Sequence, residues 1–414
     1  MKVGSSRYCL TPEKEFYLIG YRSDNRYEPA TGIHDDIYCN SLLFEQDGKK
    51  VFIFSADVIE FEESMADDVK TLLHNKYGIE RDLVLLCATH DHSSVVSYHR
   101  SWYTNKFDQE YYDFFIQTIL SSYEDCLGNM QTATATYGKE VIRGYYGNRN
   151  HPGQLADNEV IVVKFYDEVG KAFAGFVNWA VHSTVLSADN TMLTSDLAGE
   201  VSKKLYDSFG FYPAMIVGAA ADSSNRNERK GSDFHELERV STALAKHISE
   251  IDTSNEITLG SIRYQTLFHV IHHNMETVHE ELTIEINKMQ EQLTEENNED
   301  KIEFYKKKIH NLKKELDVHN YHLDIKGVVI NLGNIQLFVF PGELGSKFGI
   351  EMKDSTTSLG IICGYTNGYY EYFMPKEEYG LSFETIGSKI PKGEPEKVIK
   401  KFILASKRLN DSKI

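Results

Sequence analysis

The chain alternates between short apolar runs that end in small or polar residues and longer stretches where apolar residues recur every three or four positions. Residues 50–57 form an apolar run closing on Ser55-Ala56-Asp57, which predicts a buried strand. From 62 to 77, Met65, Val69, Leu72 and Leu73 fall near helical spacing. Residues 82–89 predict a second buried strand, so the start of the chain has the rhythm of a β-α-β unit. Further strands are predicted at 159–166, 172–179, 214–217, 327–330 and 335–340, and helices at 109–127, 197–208 and 235–251. The expected fold is α/β, with mixed β-sheets flanked by helices.

One segment has a different texture. Between 275 and 318 the chain is polar, with sparse apolar positions. Met275, Val278, Leu282, Ile286, Met289 and Leu293 step by three and four, and the pattern resumes at Ile302, Tyr305, Ile309, Leu312 and Leu316. Two helices with one apolar stripe each, joined by a polar turn at 295–300, predict an inserted antiparallel hairpin. The first helix is acidic (Glu280, Glu281, Glu285, Glu291) and the second basic (Lys306, Lys307, Lys313, Lys314), which favours their pairing. The plain reading is a structural insertion; the alternatives are a homo-oligomerisation arm or a lid.

Composition narrows the function. The 414 residues carry a formal charge of −18, which repels phosphate backbones and makes nucleic acid a poor partner. Five widely spaced cysteines with no CxxC fit reduced thiols in a cytoplasm better than a disulfide framework. The first residues hold no apolar leader, and nothing approaches the ~18 apolar residues of a membrane span. A cytoplasmic location is therefore expected.

Five segments carry candidate chemistry. Thr89-His90-Asp91-His92-Ser93-Ser94 follows a buried strand, and in extended chain His90 and His92 share a face. Two imidazoles at the carboxyl end of a strand suit a metal ligand beside a proton carrier, or else are surface histidines in a loop. Asn178-Trp179-Ala180-Val181-His182 ends another apolar strand, so His182 is either a third ligand or a hydrogen-bonded core residue. In Ala221-Asp222-Ser223-Ser224-Asn225-Arg226, Ser224 is a candidate nucleophile or donor, but no G-x-S-x-G elbow surrounds it. Glu343, in Pro341-Gly342-Glu343 at a strand end, is a candidate carboxylate to complete a mixed His and Glu zinc site. Residues 364–379 form a tyrosine cluster.

In this order the segments resemble the catalytic domain of the neutral/alkaline ceramidase family. Residues 89–94 stand where that family has T-H-T-H-S-G, and Asn190 to Asp196 stand for N-x-L-x-S-x-D. Residues 221–226 stand loosely for G-D-x-S-P-N or G-D-x-N-P-R, Pro341-Gly342-Glu343 for P-G-E, and Asn367 to Tyr379 for N-x-Y-x-x-Y-x-T-x-x-E-E-Y. Gly32-Ile33-His34 and Asn148-Arg149 add two weaker matches. The resemblance runs from Leu10 to Phe383 and implies a single catalytic domain over 1–414. It implies one zinc ion per chain held by His90, His182, Glu343 and Tyr372, with His92 as proton shuttle and Arg149 and Ser224 steadying the carbonyl or oxyanion. The reaction it implies is cleavage of an amide bond in a small or amphiphilic N-acyl substrate by metal-activated water.

The sequence departs from the pattern in places. Asp91 replaces a threonine, Ser94 a glycine, and Ala221 and Asn225 the glycine and proline of the third motif. Phe383 precedes Glu384 where the family has a tyrosine, which removes a hydroxyl. The additional β domain and secretion signal of long ceramidases are not seen; these departures weaken ceramide as the substrate and leave another N-acyl compound, or an ester, open beside it. Two competing readings remain: a serine esterase or amidase using Ser224, and a non-catalytic binding protein that keeps the fold.

Overall fold

The computed structural model describes residues 1–21, 23–100, 106–295 and 299–411. Its frame is three β-sheets. The first runs in the order Val84–Ala88, Lys49–Ala56, Tyr38–Gln46, Lys2–Cys9, Gln131–Thr132. The second runs Ala214–Val217, Ala172–Trp179, Glu159–Tyr166, Thr134–Val141, Asn255–Ile257. The third runs Ile262–Asn274, Asn320–Leu332, Ile335–Val339, Leu359–Cys363.

Alternation along the strands decides the layering. In Lys49–Ala56, Val51 and Ile53 face one way and Phe52 and Phe54 the other, and all four are buried. The Val51 face meets Ile161 and Val163 of the second sheet and Ile330 and Leu337 of the third in one core shared by the three sheets. The Phe52 face packs under helices Glu63–Tyr77 and Gln109–Gly128. Val177 and Trp179 of the second sheet take Asp196–Phe209 and Phe234–Glu250, and Val329 and Phe338 of the third take Ser346–Asp354 and Glu394–Asp411. Sheets buried on both faces explain why these strands read as continuous apolar runs. Each fully buried Leu, Ile or Phe contributes about 1.5–3 kcal/mol.

Each sheet contains one parallel pair. Lys49–Ala56 runs parallel to Val84–Ala88, Ala172–Trp179 to Ala214–Val217, and Ile335–Val339 to Leu359–Cys363. The carboxyl ends of these pairs are stitched together: Ala88 N donates to Tyr365 O, Gly364 N to Val217 O, His92 N to Ser183 O and Ala221 N to Leu344 O. Loops that follow parallel strands in all three sheets therefore meet at one place, where open α/β sheets put their sites.

Helices Glu276–Glu295 and Glu299–Glu315 rise from the end of the long antiparallel pair Ile262–Asn274 and Asn320–Leu332 and pack through Leu282, Ile286, Met289, Ile309 and Leu312. The centre of the expected turn, 296–298, and the side chain of Lys307 lie outside the described residues. No helix among the described residues is long and apolar enough to cross a membrane.

Several expectations need correction. The strand expected at 82–89 starts at Val84, because Arg81–Leu83 is a turn of 3-10 helix. The strand expected at 327–330 is the inner part of Asn320–Leu332, whose outer half is too exposed to show an apolar run. Lys2–Cys9, Tyr38–Gln46, Thr134–Val141 and Ile262–Asn274 were not anticipated as strands, nor Ser346–Asp354 and Glu394–Asp411 as helices.

Candidate active site

His90 is the second residue past the Val84–Ala88 strand, and its backbone is left-handed, with φ 58°. That corrects the extended geometry expected for the HxH: the chain turns at His90, and the turn brings its ring to 4.7 Å from that of His92. His182 follows the Ala172–Trp179 strand, with its ring centroid 4.8 Å from that of His90. One ring nitrogen from each of the three histidines falls within 4.8 Å of the others.

The tautomers follow from the surroundings. Nδ1 of His90 lies 2.8 Å from Ile59 O, Nδ1 of His92 2.8 Å from Gly20 O, and Nδ1 of His182 3.0 Å from Ser223 O. A carbonyl only accepts, so each Nδ1 carries a proton. Nε2 of His90 and of His92 is buried without a hydrogen-bond partner. Burial pushes the His90 imidazole down to about 4 and His92 well below its usual range, so both rings are neutral at pH 7.

Glu343 is fully buried at the end of the third sheet and faces these rings, Oε2 3.1 Å from His182 Nε2 and Oε1 3.6 Å from His90 Nε2. Burial alone would raise its carboxyl, but the surrounding positive field, to which Arg149 contributes a permanent charge, outweighs this and holds it below its usual range. Tyr365 and Tyr369 donate to its two oxygens at 3.1 and 2.5 Å. Tyr372 lies on a strand of two residues that runs parallel to Glu343–Leu344. Its hydroxyl accepts from Arg149 Nη2 at 3.4 Å, and burial raises its pKa.

This donor set fits zinc. Imidazole and carboxylate are its usual ligands, and backbone acceptors on the far ring nitrogens fix such histidines. Two buried Nε2 atoms have no other partner, in a region where unsatisfied polar atoms are costly. His90, His182 and Glu343 would hold the ion, with Tyr372 beside them. His92 presents Nε2 to the same point, so the imidazole cluster alone does not distinguish ligand from proton carrier.

Arg149 is placed by the strand of two residues at Gly147–Asn148, which pairs with Ser223–Ser224. Its Nη1 lies 3.3 Å from His182 Nε2, and its Nε donates to Glu384 Oε1 at 2.7 Å. Ser224 is buried, but its hydroxyl accepts from Arg226 N at 3.2 Å, and no histidine among the described residues bonds to it. The geometry for a serine nucleophile with a histidine base is not assembled here. Phe383 is 54% exposed, its ring 6.5 Å from that of Tyr372.

The sequence reading missed Gly20, Ile59 and Ser223 as carbonyl anchors, because a backbone oxygen leaves no side-chain signature. It also missed Glu384 as the partner of Arg149, and it saw Tyr365 and Tyr369 only as members of an aromatic patch. Two residues in contact at the site, His90 and Tyr365, have left-handed backbones, with φ 58° and 51°. Each such non-glycine residue costs on the order of 1–3 kcal/mol, a cost typical of functional sites.

The fold and much of the sequence have relatives. A neutral ceramidase of Oryza sativa subsp. japonica is 23% identical over 279 residues, 62% of this chain but 34% of the rice protein, so the match spans about a third of that relative. The crystal structure of neutral ceramidase from Pseudomonas aeruginosa superposes with a TM-score of 0.76 at 18% identity, covering 99% of this chain and 74% of that one. A ceramidase complexed with C2 gives the same TM-score at 16% identity. Residues 1–209 match the family described as neutral/alkaline non-lysosomal ceramidase, N-terminal, and the chain belongs to that family.

Proposed function

We propose that the protein is a zinc-dependent hydrolase that cleaves the amide bond of an N-acylated, ceramide-like amphiphile. The observation that carries this reading is the set of three imidazoles, each tethered at Nδ1 by a backbone carbonyl, whose ring nitrogens converge beside a buried, ionised Glu343. Family membership supports the amide as the bond attacked. When bound, zinc supplies Lewis acidity and an activated water at neutral pH.

The chain supplies the rest. Arg149 points two guanidinium nitrogens into the site, and the arginine donates to the substrate oxygen where charge develops. Removal of one such donor costs roughly 100- to 1,000-fold in rate. His92, neutral by burial, takes a proton at Nε2 and returns it to the leaving amine. Glu343 stays ionised under its two tyrosine donors and offsets the charge of the ion.

The test is metal content and turnover on the same preparations. Wild-type protein should carry about one zinc per chain and release a carboxylate and an amine from N-acyl amino alcohols. His182→Ala should lose both metal and turnover, while His92→Ala should keep the metal and lose most of the rate. Wild-type turnover in His182→Ala would sink the assignment.

A further inference from the structure

We infer that the helical arm of Glu276–Glu295 and Glu299–Glu315 is a positioning element of the active site, acting through Glu384 on Arg149; this rests on the catalytic reading above. The connection is a short loop. At one end, Glu384 is buried and bonded by both carboxylate oxygens, to Arg149 Nε at 2.7 Å and to Asn150 Nδ2 at 2.8 Å. Three residues on, Gly387 sits against the arm with φ 73°; a β-carbon there would lie 2.6 Å from Leu282 Cδ2 and 3.4 Å from Leu312 Cδ2. These two leucines come from different helices of the arm and belong to its small core, so glycine is what lets the loop seat there.

The next residues lock the loop in register. Lys389 Nζ reaches Glu315 of the arm at 3.4 Å and Glu371 at 3.9 Å, and Glu371 precedes Tyr372. The Lys389 carbonyl accepts from His273 Nδ1 at 2.8 Å, at the root of the arm. The loop is thus clamped to the arm at 387 and 389 and to the guanidinium at 384. Arg149 has donors aimed at both His182 and Tyr372, so a small rotation about its Nε anchor redirects them. Loss of the seat should therefore lower turnover rather than substrate or metal affinity.

Two arm variants test this, Leu282→Ala/Leu312→Ala, which empties the seat, and Gly387→Val, which forces the loop away. With an N-acyl amino alcohol in detergent micelles, kcat should fall about tenfold, with KM and zinc content unchanged. In a Glu384→Gln background the same arm changes should add nothing, because the relay is already cut. A third readout needs no turnover: hydrogen exchange at the amides of 149–151 in metal-free protein should rise in the arm variants. Wild-type kcat in folded arm variants, or full multiplicativity with Glu384→Gln, would overturn the inference. If the wild-type protein has no amidase activity the catalytic reading fails by itself, and unchanged exchange at 149–151 then overturns the positioning role as well.

Discussion

A buried charge without a partner is informative wherever it sits. Glu343 is buried and answered by two tyrosines and two histidines, as expected of a functional carboxylate. Lys70 is the contrasting case. It lies on the inner face of Glu63–Tyr77, 8% exposed, and burial lowers its ammonium from 10.5 to about 8. Below pH 8 it is charged in the folded and unfolded chain alike, so the full desolvation cost stands. Between 8 and 10.5 the folded chain sheds a proton that the unfolded chain keeps, so stability rises with pH across that window. Lys70→Met should therefore stabilise the protein at pH 7 by about 1–3 kcal/mol, with the gain shrinking towards pH 10. Thermal midpoints of the two proteins across pH 7–10 check it; a lower midpoint for the variant at pH 7 would refute the argument.

At the scale of elements, the buried strands were legible because both faces of each sheet are covered. The arm was legible because its stripe has helical spacing. Ile262–Asn274 was not, since it alternates among half-buried and exposed positions, with Phe268 and Val270 turned outwards. The clustered histidines were legible as residue types at strand ends, but their convergence was legible only through the family resemblance, because the approach of His90 to His92 depends on one left-handed residue. The N-terminal segment was silent for a similar reason: its contribution is a carbonyl. Gly20 has φ 107°, and a β-carbon there would lie 2.5 Å from His92 Cα. Gly20→Ala should push this segment off His92, lowering kcat on an N-acyl amino alcohol at least tenfold while zinc content and the sheets stay intact. Turnover and zinc content of the same preparation check it, and an unchanged kcat would show that the carbonyl of Gly20 does not matter.

At the scale of the molecule, the site joins loops from all three sheets, so an ion bound there ties the sheets together. A ligand that binds only the folded chain adds stability; at a concentration 1,000 times its Kd the gain is about 4 kcal/mol. Removal of zinc by chelation should then lower the thermal midpoint by several degrees, and zinc, but not magnesium, should restore it. A midpoint indifferent to chelation would leave the imidazole cluster without a structural role for metal.

The order of these contributions along the chain has a consequence for how the protein is made. Gly20, His90 and His182 leave the ribosome early, but Glu343, Tyr372 and Glu384 come from the last fifth of the sequence. The third sheet, whose strand Ile335–Val339 leads into Glu343, is also the last of the three to be synthesised. A nascent chain can therefore offer imidazoles to passing metals well before it can offer the carboxylate. Selection of zinc would thus be deferred until Glu343 has emerged, and a ribosome stalled before residue 343 would leave the three imidazoles without their carboxylate.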